Sequence, residues 1–308
     1  MKAAKEHKQQ QSRVIKNAKN NSVVQMGRVG EIVGGSNEKR KIVFKINFAG
    51  SGYRRFPSKY YVKGQEVNKV LYYYSGSRKS ILHKIELPGP QKMLGIQDGG
   101  KHSIHRNLNY VKDCILYSVK PNDNKEVHVI IKGHSRGGVA ASCFANWMKR
   151  YIPNANVELT LLDPVPGPSH SGEYVDITSN ADLSTVIYSL TADRDLVHKI
   201  GFTPQIVRGA NRIILTKEGH DCGTGIRDNS QKKVKYFFCG KYYSLSQLNS
   251  LPNGCYYAEK EYDETGQIRI RLWLIPKGSA LADIKKLSKI HGRKSAIKTS
   301  ILNMKLLQ

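Results

Sequence analysis

Acidic residues are scarce in this chain of 308 residues, which has 24 Asp and Glu against 50 Lys and Arg and a formal net charge of +26. A surface with so few carboxylates attracts phosphate-bearing partners, namely nucleic acid or an anionic membrane leaflet. The charge imbalance is therefore informative about partners, and it leaves the fold open.

Cysteines and long apolar runs are also few. The five cysteines form an odd set without a C-x-x-C pair, which argues against a disulfide framework or a zinc site and favours reduced thiols in the cytosol. No segment approaches ~18 consecutive apolar residues, so we expect no transmembrane helix. The basic N-terminus is not followed by the apolar stretch of a general secretory signal. We therefore expect a cytoplasmic protein unless a specialised system exports it.

Composition divides the chain into three parts. We expect residues 1–40 to be a basic, disordered arm, since the first 22 residues have six Lys and Arg against one Glu. Residues 41–275 have the composition of one globular domain. The last 32 residues have eight Lys and Arg against one Asp, and apolar residues recur at helical spacing over 280–290. This pattern predicts a basic amphipathic helical tail, which packs on the domain or lies on an anionic membrane.

The central part predicts an α/β fold. Apolar β-branched runs separated by helix-length segments indicate a mostly parallel sheet with helices on both faces; the runs are 42–48, 70–74, 127–131, 157–162, 185–190 and 212–216. Residues 108–117 are compatible with a helix. Residues 255–262 and 268–275, joined by a polar turn, predict a C-terminal β-hairpin.

The stretch Gly133-His-Ser-Arg-Gly137 connects a predicted buried strand to a predicted helix rich in small residues. A G-x-S-x-G motif between a strand and a helix is typical of a nucleophile elbow, a sharp turn that exposes the serine hydroxyl above the sheet. Ser135 is the predicted nucleophile. The backbone N–H of Arg136 would then lie at a helix N-terminus, where it can stabilise an oxyanion.

A second oxyanion donor is expected from the loop after the first strand. Ala49 and Gly50 begin a glycine-rich loop there, and α/β-hydrolases take their second N–H from a loop of this kind. The alternative is an ordinary glycine turn.

A serine needs a base to accept its proton and an acid to orient that base. Of the histidines after the elbow, only His220 follows an apolar strand directly and opens a glycine-rich loop, so His220 is the predicted base. Asp195 is the preferred acid because it follows the strand before the histidine strand. Asp163, one strand earlier, and Asp193 remain alternatives. Such a triad requires no metal ion or organic cofactor.

Four segments in this order resemble the bacterial lipase-effector branch of the α/β-hydrolases, which includes phospholipase effectors of type VI secretion. They are Gly133-His-Ser-Arg-Gly-Gly138, Leu162-Asp-Pro-Val-Pro-Gly167, the segment from Ala192 to Pro204, and Gly219-His-Asp-Cys-Gly-Thr-Gly225. The resemblance covers roughly residues 40–226. It implies Ser135 and His220 as triad members, a lipid or ester substrate, and export by a specialised secretion system.

The predicted function is a serine esterase or lipase acting on acyl esters. Phospholipids are the expected substrates, because the positive charge would concentrate the protein on anionic membranes. One alternative is an inactive binding protein of the same fold. Another is a nucleic-acid-binding protein, although no nucleic-acid motif is recognised. The sequence does not determine the oligomeric state.

Overall fold

Twelve strands form a single mixed sheet in the computed structural model, which describes residues 24–26, 40–50, 71–76, 80–87, 89, 104–119, 125–166, 176–190, 204–205, 207–224 and 234–275. The strands are β1 Val24–Met26, β2 Arg40–Phe48, β3 Leu71–Gly76, β4 Ser80–Leu87, β5 Lys125–His134, β6 Asn156–Leu162, β7 Leu183–Ser189, β8 Arg212–Thr216, β9 Lys235–Phe238, β10 Lys241–Tyr243, β11 Gly254–Tyr262 and β12 Ile268–Ile275. The described helices are α1 Ile104–Ser118, α2 Arg136–Tyr151 and a 3-10 helix, Leu245–Ser250.

The sheet is mostly parallel, as the sequence predicts. Its strand order is β1-β3-β4-β2-β5-β6-β7-β8-β11-β12-β9-β10. The seven strands from β4 to β11 in this order all pair in parallel. Antiparallel pairs occur outside this block, between β3 and β4, β11 and β12, and β9 and β10. The carboxyl ends of the parallel strands consequently meet at one edge of the sheet.

Alternation along the strands gives the sheet two apolar faces. On the first face, Phe44, Val129 and Leu159 are fully buried in a cluster with Val111 of α1 and Phe144 of α2. We call this the helix-bearing face, because both described α-helices contribute to its core. The opposite face has a second cluster, which includes residues of the 3-10 helix and of β9, β11 and β12. The described residues thus show α-helices on one face only.

Several elements differ from the sequence prediction. Strand β4 was not expected, because the buried polar residues His83 and Glu86 interrupt its apolar pattern. Strand β1 pairs in parallel with β3, so residues 24–26 of the stretch 1–40 belong to the sheet, while residues 1–23 and 27–39 lie outside the described residues. The helix expected over 280–290 lies outside the described residues. Among the described helices, none is long and apolar enough to cross a membrane.

The chain reverses its direction of travel across the sheet around β2. From β2 it passes through β3 to β4 on one side, and it then continues to β5 on the other side of β2. In open α/β sheets, ligands bind outside the carboxyl ends of the strands at such a switch point. Ala49 follows the end of β2, and Ser135 follows the end of β5, so both lie at this point.

Candidate functional site

Ser135 occupies the sharp turn between β5 and α2. Its φ of 54° and ψ of −126° fall in a region that non-glycine residues rarely adopt and that the surrounding structure must enforce. Three backbone hydrogen bonds do so: Ser135 N–H donates to the Leu162 carbonyl at 3.0 Å, and the Ser135 carbonyl accepts from Gly138 at 2.9 Å and Val165 at 3.1 Å. The strained serine backbone is therefore fixed on both sides.

The glycines around Ser135 are required by close backbone approach. A Cβ on Gly133 would lie 2.4 Å from the Gly137 carbonyl oxygen, and one on Gly137 would lie 2.3 Å from that of Phe48. Neither position can accept a larger residue without moving the backbone. The motif is thus explained by packing of the turn between the ends of β2 and β5.

His220 and Asp163 form a buried hydrogen-bonded pair. His220 Nδ1 lies 2.6 Å from Asp163 Oδ2, and the two residues are 7% and 0% exposed. A carboxylate accepts a hydrogen bond from the N–H of Nδ1, which leaves Nε2 as the basic nitrogen of the ring. This is the tautomer that a general base requires.

The Asp163 turn is supported from the neighbouring strand. Asp163 N–H donates to the Ile187 carbonyl at 2.7 Å, and the second carboxylate oxygen, Oδ1, accepts the Ser189 N–H at 3.2 Å. A buried carboxylate is tolerated when it is paired and hydrogen-bonded in this way. Asp163 also has a positive φ of 36°. Asp195, the preferred acid of the sequence analysis, and Asp193 lie outside the described residues.

Tyr188 supports the same turn through hydrogen bonds to the segment that contacts Pro164. Its hydroxyl donates to the Gln205 carbonyl at 3.2 Å and accepts the Val207 N–H at 2.9 Å, while Gln205 N–H donates to the Pro164 carbonyl at 2.7 Å. Burial raises the pKa of Tyr188 above its ordinary value, and the nearby Asp163 charge acts in the same direction. The tyrosine therefore remains neutral and serves as a fixed hydrogen-bonding group.

His134 has a role that the sequence analysis missed. Its Nε2 donates to the His220 carbonyl at 3.1 Å, and the two imidazole rings lie 4.8 Å apart. His134 immediately precedes Ser135, so this contact ties the loop of the candidate base to the turn of the candidate nucleophile. Its position inside the G-x-S-x-G motif was the available signal, but its partner cannot be identified from the sequence.

Of the expected oxyanion donors, Arg136 is the first residue of α2, and N–H groups in the first turn have no partner within the helix. Ala49 N–H donates to the Leu87 carbonyl at 3.0 Å, so this donor is engaged by the sheet. Gly50 is the better candidate, because a Cβ built on it would lie 2.9 Å from the Ser135 Cβ.

We expect Gly50→Ala to lower ester hydrolysis by about 100-fold, the loss that small displacements in an active site can cause. The new methyl group would lie 2.6 Å from His134 Nδ1 and 2.9 Å from Ser135 Cβ, so it must displace the serine or the loop. The measurement is kcat/KM on a short-chain ester. Gly219→Ala is the matched control, since a Cβ there meets nothing within 4 Å. Equal activity of both variants would contradict the close approach of Gly50.

No group of three or more metal-binding side chains occurs within the described ranges.

Comparison of the chain with family models and with curated proteins gives no match. The chemistry of the site must accordingly be argued from its own residues.

Proposed function

We propose that the protein is a serine hydrolase of the α/β-hydrolase fold, with helices on both faces of the sheet, and that it cleaves acyl esters. The proposal rests on the buried hydrogen bond between His220 Nδ1 and Asp163 Oδ2. This bond lies at the carboxyl ends of the parallel strands, where Ser135 occupies its strained turn. A histidine held by a buried carboxylate near a serine in an elbow is the arrangement that activates a hydroxyl nucleophile.

The residues divide the reaction into two steps. His220 Nε2 takes the Ser135 proton as Oγ attacks the ester carbonyl, and the N–H groups of Arg136 and Gly50 stabilise the oxyanion of the tetrahedral intermediate. His220 then gives the proton to the departing alcohol, which leaves an acyl-Ser135 ester. A water molecule, deprotonated by His220, releases the acid and restores the serine. Asp163 keeps the tautomer and stabilises the imidazolium in both steps.

Phospholipid is the ester class that the charge favours. A formal charge of +26 concentrates the protein on anionic bilayers, where each basic residue near the surface contributes about 1 kcal/mol. The resemblance to lipase effectors points to the same substrates and to export by a specialised secretion system.

Two alternative functions predict different results. An inactive protein of this fold would not react with serine-directed reagents. A nucleic-acid-binding protein would show an affinity for nucleic acid that falls linearly with salt concentration on a log–log plot.

The test is labelling of the native protein with a fluorophosphonate probe, followed by peptide mapping. We expect one modified residue, Ser135, and loss of labelling when the protein is unfolded before the probe is added, since only an activated serine reacts rapidly. Phospholipid and thioester substrates would then be compared. A folded protein that takes up no probe, or one that is labelled at another serine, would refute the proposal.

A further inference from the structure

The end of the sheet farthest from β1 has an exposed surface with both aromatic and basic side chains. By register, Lys235 and Phe237 of β9, Tyr242 of β10, and Arg269, Arg271 and Trp273 of β12 share one side of these strands. We call these six residues the aromatic–basic face. They lie on the same side of the sheet as Cys255, which packs into the core of the helix-bearing face, but the described helix α2 contacts β2, β5 and β6 instead.

The rings and cations of the aromatic–basic face contact one another. The guanidinium groups of Arg269 and Arg271 lie 5.5 Å and 5.6 Å from the centre of the Phe237 ring. Arg271 also lies 5.3 Å from the Trp273 ring. Such cation–π contacts hold the side chains in place. Tyr242 and Trp273 nevertheless remain 52% and 49% exposed, so both rings are accessible to a binding partner.

The surface adjoins the edge of the sheet where the candidate active site lies. The pairing of β11 with β8 ends where Ala258 of β11 lies opposite Thr216 of β8. The pairing of β11 with β12 continues to Tyr262, which lies opposite Ile268. The hairpin therefore extends four residues, or about 13 Å, beyond the last β8 pair on the carboxyl side. On the other side of the hairpin, Lys260 lies 3.8 Å from Glu218, two residues before His220.

We propose that the aromatic–basic face docks the protein on an anionic phospholipid bilayer and so presents the carboxyl edge of the sheet to the membrane. This inference rests on the proposed function and adds the surface by which the protein binds the membrane that contains its substrate. Tryptophan and tyrosine rings prefer the membrane–water interface, and basic side chains beside them bind lipid phosphates.

Charge on the face itself is modest. On the neighbouring strand β11, Glu259 and Glu261 lie opposite Arg271 and Arg269 of this face. Glu261 accepts hydrogen bonds from the Nε atoms of Arg269 at 2.9 Å and Arg271 at 2.6 Å, and these bonds lower the pKa of its carboxyl. Long-range attraction must come from the charge of the whole chain, and the face contributes the aromatic anchors.

A membrane explains the face better than single-stranded nucleic acid does. Bases bind by stacking on open aromatic ring faces. Here the Phe237 ring is approached by two guanidinium groups, and Lys235 lies 5.9 Å from the centre of the Tyr242 ring. Cations thus occupy positions over the ring faces that bases would need, while amphipathic side chains of this kind can still insert among lipid headgroups.

The experiment measures vesicle binding in the Ser135→Ala background, so that lipid is not consumed and binding is independent of catalysis. Vesicles of phosphatidylcholine alone are compared with vesicles that also contain phosphatidylglycerol. We expect Trp273→Ala combined with Tyr242→Ala to weaken binding to the anionic vesicles roughly tenfold, which corresponds to about 1.4 kcal/mol. Leu116→Ala combined with Tyr151→Ala is the matched control, since these residues are 50% and 59% exposed on the helices.

A second measurement uses fluorescence. The chain has two tryptophans, so in a Trp147→Phe background the emission reports on Trp273 alone and should shift to shorter wavelength when anionic vesicles are added. Equal loss of binding in the control variant, or an unshifted Trp273 emission, would overturn the proposal. The proposal would also be overturned if Trp273→Ala combined with Tyr242→Ala weakened the binding of a thymidine oligonucleotide but not the binding of vesicles. With serine intact, hydrolysis of a soluble short-chain ester should be unchanged in the face variants, which separates this inference from the proposed function.

Discussion

Ser135→Ala is expected to lower kcat for ester hydrolysis by roughly 10⁶-fold, the scale of loss when the nucleophile of a serine triad is removed. The reason is that no other hydroxyl can take its place in the turn fixed by the Leu162, Gly138 and Val165 backbone bonds. The measurement is turnover of a short-chain ester at saturating substrate, with circular dichroism to show that the fold is intact.

Ser142→Ala is the control for this prediction. Ser142 is also buried and lies about two turns further along α2, but its hydroxyl donates to the Gly138 and Val139 carbonyls of its own helix. Loss of this hydroxyl should leave kcat within a few-fold of the wild type, because a hydrogen bond within the helix contributes only about 1 kcal/mol to the stability of the fold. If Ser135→Ala retained activity, the nucleophile would have to be sought elsewhere.

Asp163→Asn is expected to lower kcat by roughly 10⁴-fold with the fold preserved, as the loss of the acid does in other serine triads. An amide at this position can donate to His220 Nδ1 and so stabilise the wrong tautomer, in which Nε2 carries the proton and cannot act as a base. The effect should be largest in kcat, since substrate binding does not involve the buried carboxyl.

Asp195→Asn and Asp193→Asn are the controls for this experiment. Asp163 is the carboxylate bonded to His220 at 2.6 Å, so we expect the two other variants to keep most of the activity. Full activity of Asp163→Asn together with inactive Asp195→Asn would assign the acid to Asp195, the preferred choice from the sequence. The outcome therefore decides between the two positions directly.

Much of the sheet was predictable because its signal is local. The strands β2, β5, β6, β8 and β12 contain apolar or alternating runs, and a polar turn separates β11 from β12. The strand-to-helix turn at Ser135 was predictable for the same reason, since the glycine spacing and the flanking periodicity are both contained in about 20 residues.

The acid and the support of the site were not predictable to the same degree. Three aspartates follow strand ends, and sequence spacing cannot decide which one reaches His220 in space. The β4 strand was missed because polar residues are buried in it, and the His134 contact was missed because it joins residues 86 positions apart. Such contacts depend on which strands become neighbours, and that order is a property of the whole sheet.

The backbone bonds at the carboxyl edge form a series that crosses four strands. The residue after β5, Ser135, donates to the end of β6; the residue after β6, Asp163, donates to Ile187 in β7; and the residue after β7, Leu190, donates to Thr216 at the end of β8. Opening the turns of Ser135 and Asp163 therefore means separating the central strands. These two turns should stay closed until the sheet unfolds as a unit, unlike loops that open locally.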